Sequence, residues 1–145
     1  KGSKLVKTSK IIKLEKKIQL LHRKIANIRK NYLHQVTTKI VKIKPFRVVI
    51  EDLNVKGMMK NRHLSKAIAK QGFYEFRRML EYKCKFKGIE LILADRFFPS
   101  SKMCSKCGVI DKGLKLSDRV YKCNCGLSID RDFNASINLS NYKLA

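Results

Sequence analysis

Apolar residues recur every three or four positions along the first third of the chain. From about Ser9 to Val41, they stand at Leu14, Ile18, Leu21, Ile25, Ile28, Tyr32, Val36 and Ile40. This spacing is typical of one face of an α-helix, and no glycine or proline interrupts it before Pro45. We therefore predict one long amphipathic helix that ends before Pro45 and packs on a core through its apolar stripe.

Two short apolar runs predict buried β-strands. The first is Phe46 to Ile50 and the second is Ile89 to Ala94, and each leads into an acidic residue. Between them the sequence predicts a loop with Gly57 and His63 and then a helix from about Ser65 to Lys87. Ser65 is its expected N-cap and Gly88 its expected C-cap, and Gly72 can divide it in two.

The end of the chain predicts a last short helix, from about Asp132 to Tyr142, with Phe133, Ile137 and Leu139 as its apolar residues. The order of elements indicates an α/β fold. We divide the chain into a basic helical segment (1–45), the first part of the core (46–98), a cysteine-rich insertion (99–128) and a C-terminal helix (129–145).

The net charge of the chain indicates which class of partner it binds. The formal net charge is +23 over 145 residues, and residues 1–50 hold fifteen lysines and arginines but one acid, Glu15. Such a field attracts polyanions. No apolar run approaches the length of a membrane span, so nucleic acid is favoured over a membrane surface. We predict that basic residues of the long helix contact nucleic acid; the alternative is that they only form a solvent-exposed basic face. The candidates are Lys16, Lys17, Arg23, Lys24, Arg29 and Lys30.

Four of the five cysteines lie close together near the C-terminus. Cys104 and Cys107 form a C-x-x-C pair, and Cys123 and Cys125 form a C-x-C pair after fifteen intervening residues. Four thiolates at ribbon-like spacing predict one structural Zn²⁺ site. Disulfides are the alternative, but a lysine-rich chain without a signal peptide is expected to be reduced and intracellular. Cys84, within a helical segment, is expected to be a buried core residue.

Acidic residues are few, so their positions are informative. Glu51 ends the first predicted strand and Asp132 begins the last predicted helix. Carboxylates that converge from different elements can hold Mg²⁺ or Mn²⁺ for phosphodiester hydrolysis. Asp52, Asp95 and Asp130 are further candidates. Ordinary roles for these acids, as helix caps, turn residues or partners of lysines, remain open at this point.

Three ordered motifs resemble the TnpB family of transposon-encoded OrfB proteins, which is related to the type V CRISPR effectors. They are the stretch Val49 to Met58, the knuckle Ser105 to Gly108, and Cys125-Gly126 followed by Asp130 to Asn138. The basic segment Leu21 to Asn27 also resembles the family, and the match covers nearly the whole chain. Together the motifs are far more specific than any one alone.

The resemblance implies a RuvC-like, RNase H-type nuclease fold with an inserted zinc ribbon, in an RNA-guided DNA endonuclease of a prokaryotic cytoplasm, associated with the nucleoid. Glu51 and Asp132 match the family's catalytic glutamate and last catalytic aspartate, which bind Mg²⁺ or Mn²⁺. DNA and a guide RNA are the implied partners. The implied fold is partial, because the opening strands are missing from this sequence.

The main departure from the family concerns its first catalytic aspartate, which belongs on an opening strand before the long helix. Here the one acid before Glu51 is Glu15, inside the helical pattern. We therefore expect the C-terminal part of a TnpB-like protein, which binds nucleic acid but cuts little or not at all by itself. The alternative is a non-catalytic zinc-ribbon module that binds nucleic acid.

Overall fold

The computed structural model describes residues 7–115 and 117–142. Helices and strands alternate along the chain, as expected for an α/β protein. In chain order they are α1 (Ser9–Lys42), β1 (Arg47–Glu51), α2 (Val55–Met59), α3 (Ser65–Gln71), α4 (Phe73–Lys87), β2 (Glu90–Ala94), β3 (Val120–Lys122), β4 (Ser128–Asp130) and α5 (Arg131–Ser140).

The long helix is present, but most of its apolar stripe is not buried. Only Thr37 and Val41 of α1 are fully buried, and the stripe residues Leu14 and Ile28 are each 60 % exposed. The helix packs on α4. Since α1 has 34 residues and α4 has 15, α1 extends well beyond its partner at about 1.5 Å per residue. The prediction that the whole stripe packs on a core was therefore wrong for this chain.

β1 and β2 form a parallel pair, with Arg47 opposite Glu90 and Glu51 opposite Ala94. Parallel strands need a crossover connection, which α2, α3 and α4 supply here. A small core lies behind the pair, where Val41, Cys84 and Ile89 are buried together. The α/β arrangement predicted from the sequence is confirmed, including Cys84 as a core residue.

Helix boundaries in the crossover follow its glycines. Gly72 has φ +69 and separates α3 from α4, and Gly88 has φ +65 and ends α4, both as predicted. Ser65 is not an N-cap: Leu64 holds that position, and the Ser65 hydroxyl donates to the Arg62 carbonyl. The predicted loop also contains the short helix α2, which begins because the Asn54 side chain accepts from the backbone N–H of Gly57.

The last helix packs against the first strand. The Arg47 guanidinium donates to the carbonyl of Ser140 at 2.9 Å, and Val49 shares a small cavity with Ser136 and Leu139. The start of β1 therefore lies beside the end of α5.

Candidate metal centre and acidic edge

The four C-terminal cysteines converge on one point. All four sulfurs lie within 4.8 Å of one another, with Cys104 Sγ 3.6 Å from Cys125 Sγ and Cys107 Sγ 3.5 Å from Cys123 Sγ. A tetrahedral Zn²⁺ with Zn–S bonds of about 2.3 Å requires sulfurs about 3.8 Å apart. The arrangement therefore fits a tetrahedral metal site, and none of these cysteines is in a disulfide.

Two chain reversals bring the sulfurs together, and they explain how a C-x-C pair replaces a second C-x-x-C. The Cys104 N–H donates to the Val109 carbonyl, five residues on, and the Cys123 N–H donates to the Leu127 carbonyl, four residues on. Each reversal turns at a glycine with positive φ, Gly108 at +77 and Gly126 at +86. The second reversal is one residue shorter, yet it still directs both of its sulfurs to the cluster.

Neighbouring backbone N–H groups and sulfurs change the ionisation of the cluster thiols. Burial opposes ionisation of Cys104, but the backbone N–H groups of Cys107 and Lys106 favour its thiolate, and its pKa falls to about 6. The backbone N–H of Cys125 likewise favours the Cys123 thiolate, but burial and the neighbouring sulfurs outweigh it and raise the pKa to about 12. Crowded thiols cannot all ionise unless a cation neutralises them, which is the condition that metal binding meets.

The hairpin β3–β4 completes the cysteine-rich insertion. Val120 pairs with Asp130 and Lys122 with Ser128 in an antiparallel register. Tyr121, which is 1 % exposed, lies behind the cluster, and its hydroxyl donates to the carbonyls of Lys102 and Val109. Burial raises its pKa to about 12. Tyr121 thus links the hairpin to the first cysteine pair.

Two asparagines that the sequence reasoning missed attach this insertion to α5. Asn134 is fully buried: its amide oxygen accepts from Ser105 N–H at 3.0 Å, and its Nδ2 donates to the Met103 carbonyl at 2.7 Å. Asn138, 3 % exposed, donates to the carbonyls of Met103 and Ser100, each at 2.7 Å. A usable signal existed, because asparagine is a poor helix former and two of them four residues apart share one helix face.

Glu51 ends β1 at the edge where strand β2 also ends. Its carboxylate oxygen Oε1 accepts a hydrogen bond of 2.7 Å from the Ser100 hydroxyl. The residue also borders a cavity of about 660 Å³ whose lining is mostly apolar and includes Leu33, Val49 and Phe76. A carboxylate at a strand end, beside a cavity, matches the usual position of ligand sites in α/β folds.

Asp132 lies in the first turn of α5 and is 76 % exposed, with the Arg131 guanidinium 3.6 Å from its carboxylate. It is not the helix cap. Asp130 has that role, since its carboxylate accepts from the backbone N–H groups of Asp132 and Phe133 at 2.9 Å.

The other candidate acids already have structural partners. Asp52 accepts from Arg77 at 3.2 Å and from Arg96 at 2.7 Å, so it joins α4 to the segment after β2. Asp95 accepts from the backbone N–H of Phe97 at 2.7 Å and so organises the turn after β2. Together with Asp130, which caps α5, these acids each have a structural role.

The basic residues predicted to bind nucleic acid are all on the exposed surface of α1: Lys16, Lys17, Arg23, Lys24, Arg29 and Lys30. Within residues 7–115 and 117–142, no helix is both long and apolar enough to cross a membrane.

Two family models match the chain. One is described as a probable transposase of the OrfB type found in IS605 elements and matches residues 1–62. The other is described as a Cas12f1-like TNB domain and matches residues 73–139. The two matches include β1 with Glu51, all four clustered cysteines and α5 with Asp132. The resemblance inferred from the motifs is therefore confirmed.

The chain is also similar in sequence to curated proteins whose names describe putative RNA-guided DNA endonucleases. The chain is 42 % identical over 127 residues to a Streptomyces pristinaespiralis protein named "Putative RNA-guided DNA endonuclease", covering 88 % of this chain and 31 % of the relative. It is 36 % identical over 143 residues to Escherichia coli K12 InsQ, which bears the same description, covering 88 % and 35 %. The chain thus spans about a third of the length of these relatives.

Solved structures agree with the sequence matches. The chain superposes on a Cas12f1–sgRNA–target DNA complex with a TM-score of 0.71 and 28 % identity, covering 92 % of this chain and 39 % of that one. A CRISPR–Cas12f ternary complex gives a TM-score of 0.69 and 26 % identity, covering 88 % and 27 %. The mixed helix and strand architecture is therefore shared with Cas12f chains.

Proposed function

Because the chain belongs to the family of the OrfB (TnpB) and Cas12f proteins, we propose that it is the C-terminal part of a TnpB-like, RNA-guided DNA endonuclease. In this proposal, the parallel strands and α5 belong to a RuvC-like, RNase H-type nuclease fold. The cysteine cluster holds a structural Zn²⁺. DNA is the substrate and a guide RNA is the second nucleic-acid partner.

One observation carries the catalytic part of this proposal. Since α5 packs on β1, the two elements that bear Glu51 and Asp132 are in contact. Two arginines pair with Asp52, whereas Glu51 accepts from a neutral hydroxyl and Asp132, 76 % exposed, has one arginine, Arg131, 3.6 Å away. Glu51 and Asp132 are therefore the acids we assign to a divalent metal site.

The proposed chemistry needs carboxylates that hold hard cations and leave positions open to phosphate. Mg²⁺ or Mn²⁺ bound there would activate water and stabilise the charge that develops on the phosphate oxygens. Glu51 contributes from a strand end that packing fixes, and Asp132 contributes from the first turn of a helix. The chain alone contributes two acids, and we propose that the family's first catalytic aspartate, from another part of the protein, completes the site.

The basic face of α1 suits the nucleic-acid part of the proposal. Its lysines and arginines project into solvent over several helical turns, and such a surface binds phosphate without reading sequence. The six predicted contacts on α1 are therefore proposed to hold the DNA or RNA backbone near the nuclease edge.

The test compares cleavage by a longer protein that carries the family's opening aspartate before this chain. With Mg²⁺ or Mn²⁺, we expect it to cut DNA, and we expect Glu51→Gln and Asp132→Asn each to lower the rate by at least about 10³-fold. Asp95→Asn is the matched control, because Asp95 also follows a strand at this edge but organises a turn. Full activity in either of the first two variants would leave the non-catalytic binding module as the better account.

A further inference from the structure

A continuous set of hydrogen bonds connects the cysteine cluster with Glu51. It runs along the segment Ser100 to Ser105, which enters the cluster through Cys104. Asn134 binds the backbone on both sides of that cysteine, at Met103 and Ser105. Asn138 binds the backbone of Met103 and of Ser100, and Ser100 donates its hydroxyl to Glu51.

The geometry of this connection is tightly constrained. Ser100 is 4 % exposed, and its backbone N–H donates to the Phe98 carbonyl at 2.8 Å. The N–H groups of Lys102 and Met103 both donate to the Pro99 carbonyl, which closes a compact turn. Since buried polar atoms that lose their partners are costly, the turn has little freedom to shift by itself.

The position of Ser100 on Glu51 is chemically specific. A hydroxyl that donates to Oε1 fixes the plane of the carboxylate, while the second oxygen can face a cation. Outer partners of this kind orient metal-binding carboxylates, and their loss typically lowers metal affinity by 10–100-fold. Ser100 approaches Glu51 from the zinc-ribbon side, because the next backbone contacts are with Met103 and the cysteine pair.

We propose that Ser100, held in place by Asn138, is a positioning residue for Glu51, so that order in the cysteine cluster sets the orientation of that carboxylate. The role in metal binding rests on the function proposed above. The structural coupling itself, from the cluster through Ser100 to Glu51, does not. The ribbon is therefore coupled to the nuclease edge through side-chain contacts rather than only joined to it by the chain.

Carboxylate NMR on the intact chain tests the coupling directly. The chain has five glutamates, so protein labelled with ¹³C at the glutamate carboxyl gives few signals, and Glu51→Gln identifies the one from Glu51. We expect Ser100→Ala to move the Glu51 signal while zinc content stays at one per chain. Removal of zinc with a chelator should also move it, and Ser100→Thr, which keeps a hydroxyl, should restore most of the original position.

Ser136→Ala is the matched control, because Ser136 donates to a backbone carbonyl in its own helix, that of Phe133. It should leave the Glu51 signal in place. The inference is overturned if the Glu51 signal is unmoved in Ser100→Ala, or if it moves equally in Ser136→Ala. Asn138→Asp, which removes the donor to Ser100, gives an independent check and should move the signal in the same direction as Ser100→Ala.

A titration with Mn²⁺ separates this inference from the proposed function. In the zinc-loaded longer protein of the cleavage test, which carries the opening aspartate, Mn²⁺ should broaden the Glu51 signal, and Ser100→Ala should raise the Mn²⁺ concentration needed by about 10-fold. Absence of broadening in the wild type would contradict the metal site but not the coupling, which the signal positions decide. Equal Mn²⁺ affinity in the wild type and Ser100→Ala would refute the positioning role.

Discussion

The cysteine cluster and the acidic edge are built in opposite ways. The cluster takes its four ligands from one stretch of 22 residues, between Cys104 and Cys125, and two tight chain reversals direct all four sulfurs inward. The metal site that we propose at the acidic edge would take Glu51 and Asp132 from a strand and a helix 81 positions apart. Local geometry therefore completes the first site, whereas the second depends on how distant elements pack.

This difference has an energetic consequence. Binding of structural zinc contributes about 10–16 kcal/mol in isolated ribbon-like peptides, so the cluster can order its own surroundings. The acidic edge has no comparable source of stability of its own. Its geometry must come from the parallel strands, from α5 and, under our inference, from the ribbon itself.

Removal of the metal should have the largest effect. Purified protein should hold about one zinc per chain, and Cys107→Ser should lose most of it. Residues 99–128 should then exchange their amide hydrogens rapidly, while α1 and α4 stay protected, because the ribbon has little apolar core of its own. Elemental analysis and hydrogen exchange measure this. Cys84→Ser is the control, since Cys84 lies in the core behind the sheet and should leave zinc unchanged.

The expectation would be contradicted if residues 99–128 of zinc-free protein kept their amide hydrogens fully protected from exchange. It would mean that Tyr121 and the asparagines hold the insertion without a metal. The contrast between a metal-built site and a packing-built site would then disappear.

The second largest effect concerns nucleic-acid binding, which neither site provides. Affinity for DNA should fall steeply with salt, because each phosphate contact releases counterions. Reversing the charge of Lys16, Lys17, Arg23 and Lys24 should weaken binding by about 100-fold at low salt and flatten the salt dependence. Fluorescence anisotropy with DNA of two unrelated sequences measures both quantities.

A matched variant separates a binding surface from simple net charge. Reversing Lys56, Lys60, Lys66 and Lys70 changes the total charge equally but alters α2, α3 and the turn between them instead of α1. If both variants weaken binding to the same degree, net charge alone explains the affinity, and α1 is not a specific nucleic-acid surface.

Sequence reasoning succeeded where the determinants are local. The period of α1, the reversals at Gly72 and Gly88, and the convergence of four cysteines each depend on residues close together in the chain. It failed where burial depends on distant partners. The apolar stripe of α1 extends past the end of α4 and stays exposed, and no periodicity in α1 can reveal how long α4 is.

The buried face of α5 was likewise not predictable from local sequence. Its sequence predicts an apolar face through Phe133, Ile137 and Leu139, yet Phe133 is 59 % exposed while Asn134 and Asn138 are buried. The buried face is polar because it meets the backbone of Ser100 to Ser105, whose carbonyl and N–H groups need partners. That loop lies about thirty residues upstream, so only the packed structure assigns the face.

The third effect tests whether α5 and the ribbon form one unit. Asn134→Ala leaves the part-buried N–H of Ser105 without its partner and empties the buried position of the Asn134 amide, so it should lower the free energy of unfolding by about 2 kcal/mol. Urea denaturation of zinc-loaded protein measures it. Asn27→Ala, on the exposed surface of α1, should be neutral or slightly stabilising, because alanine favours helix. An equally small effect at Asn134 would show that ribbon and helix are energetically independent.

The smallest effect concerns the two glycines that turn the cysteine reversals. Gly126 has φ +86 and Gly108 has φ +77, and a Cβ at either would meet no atom within 4 Å. Alanine there should therefore cost only backbone strain, about 1 kcal/mol, and weaken zinc binding by about 5-fold in competition with a chelator. Asparagine tolerates this conformation better, so Gly126→Asn should lose less zinc affinity than Gly126→Ala.

Gly113→Ala is the control, since Gly113 has no positive φ. If alanine and asparagine are equally harmful at Gly126, steric contact rather than the shortened C-x-C reversal controls the site, and the local origin of the cluster's geometry would have to be abandoned.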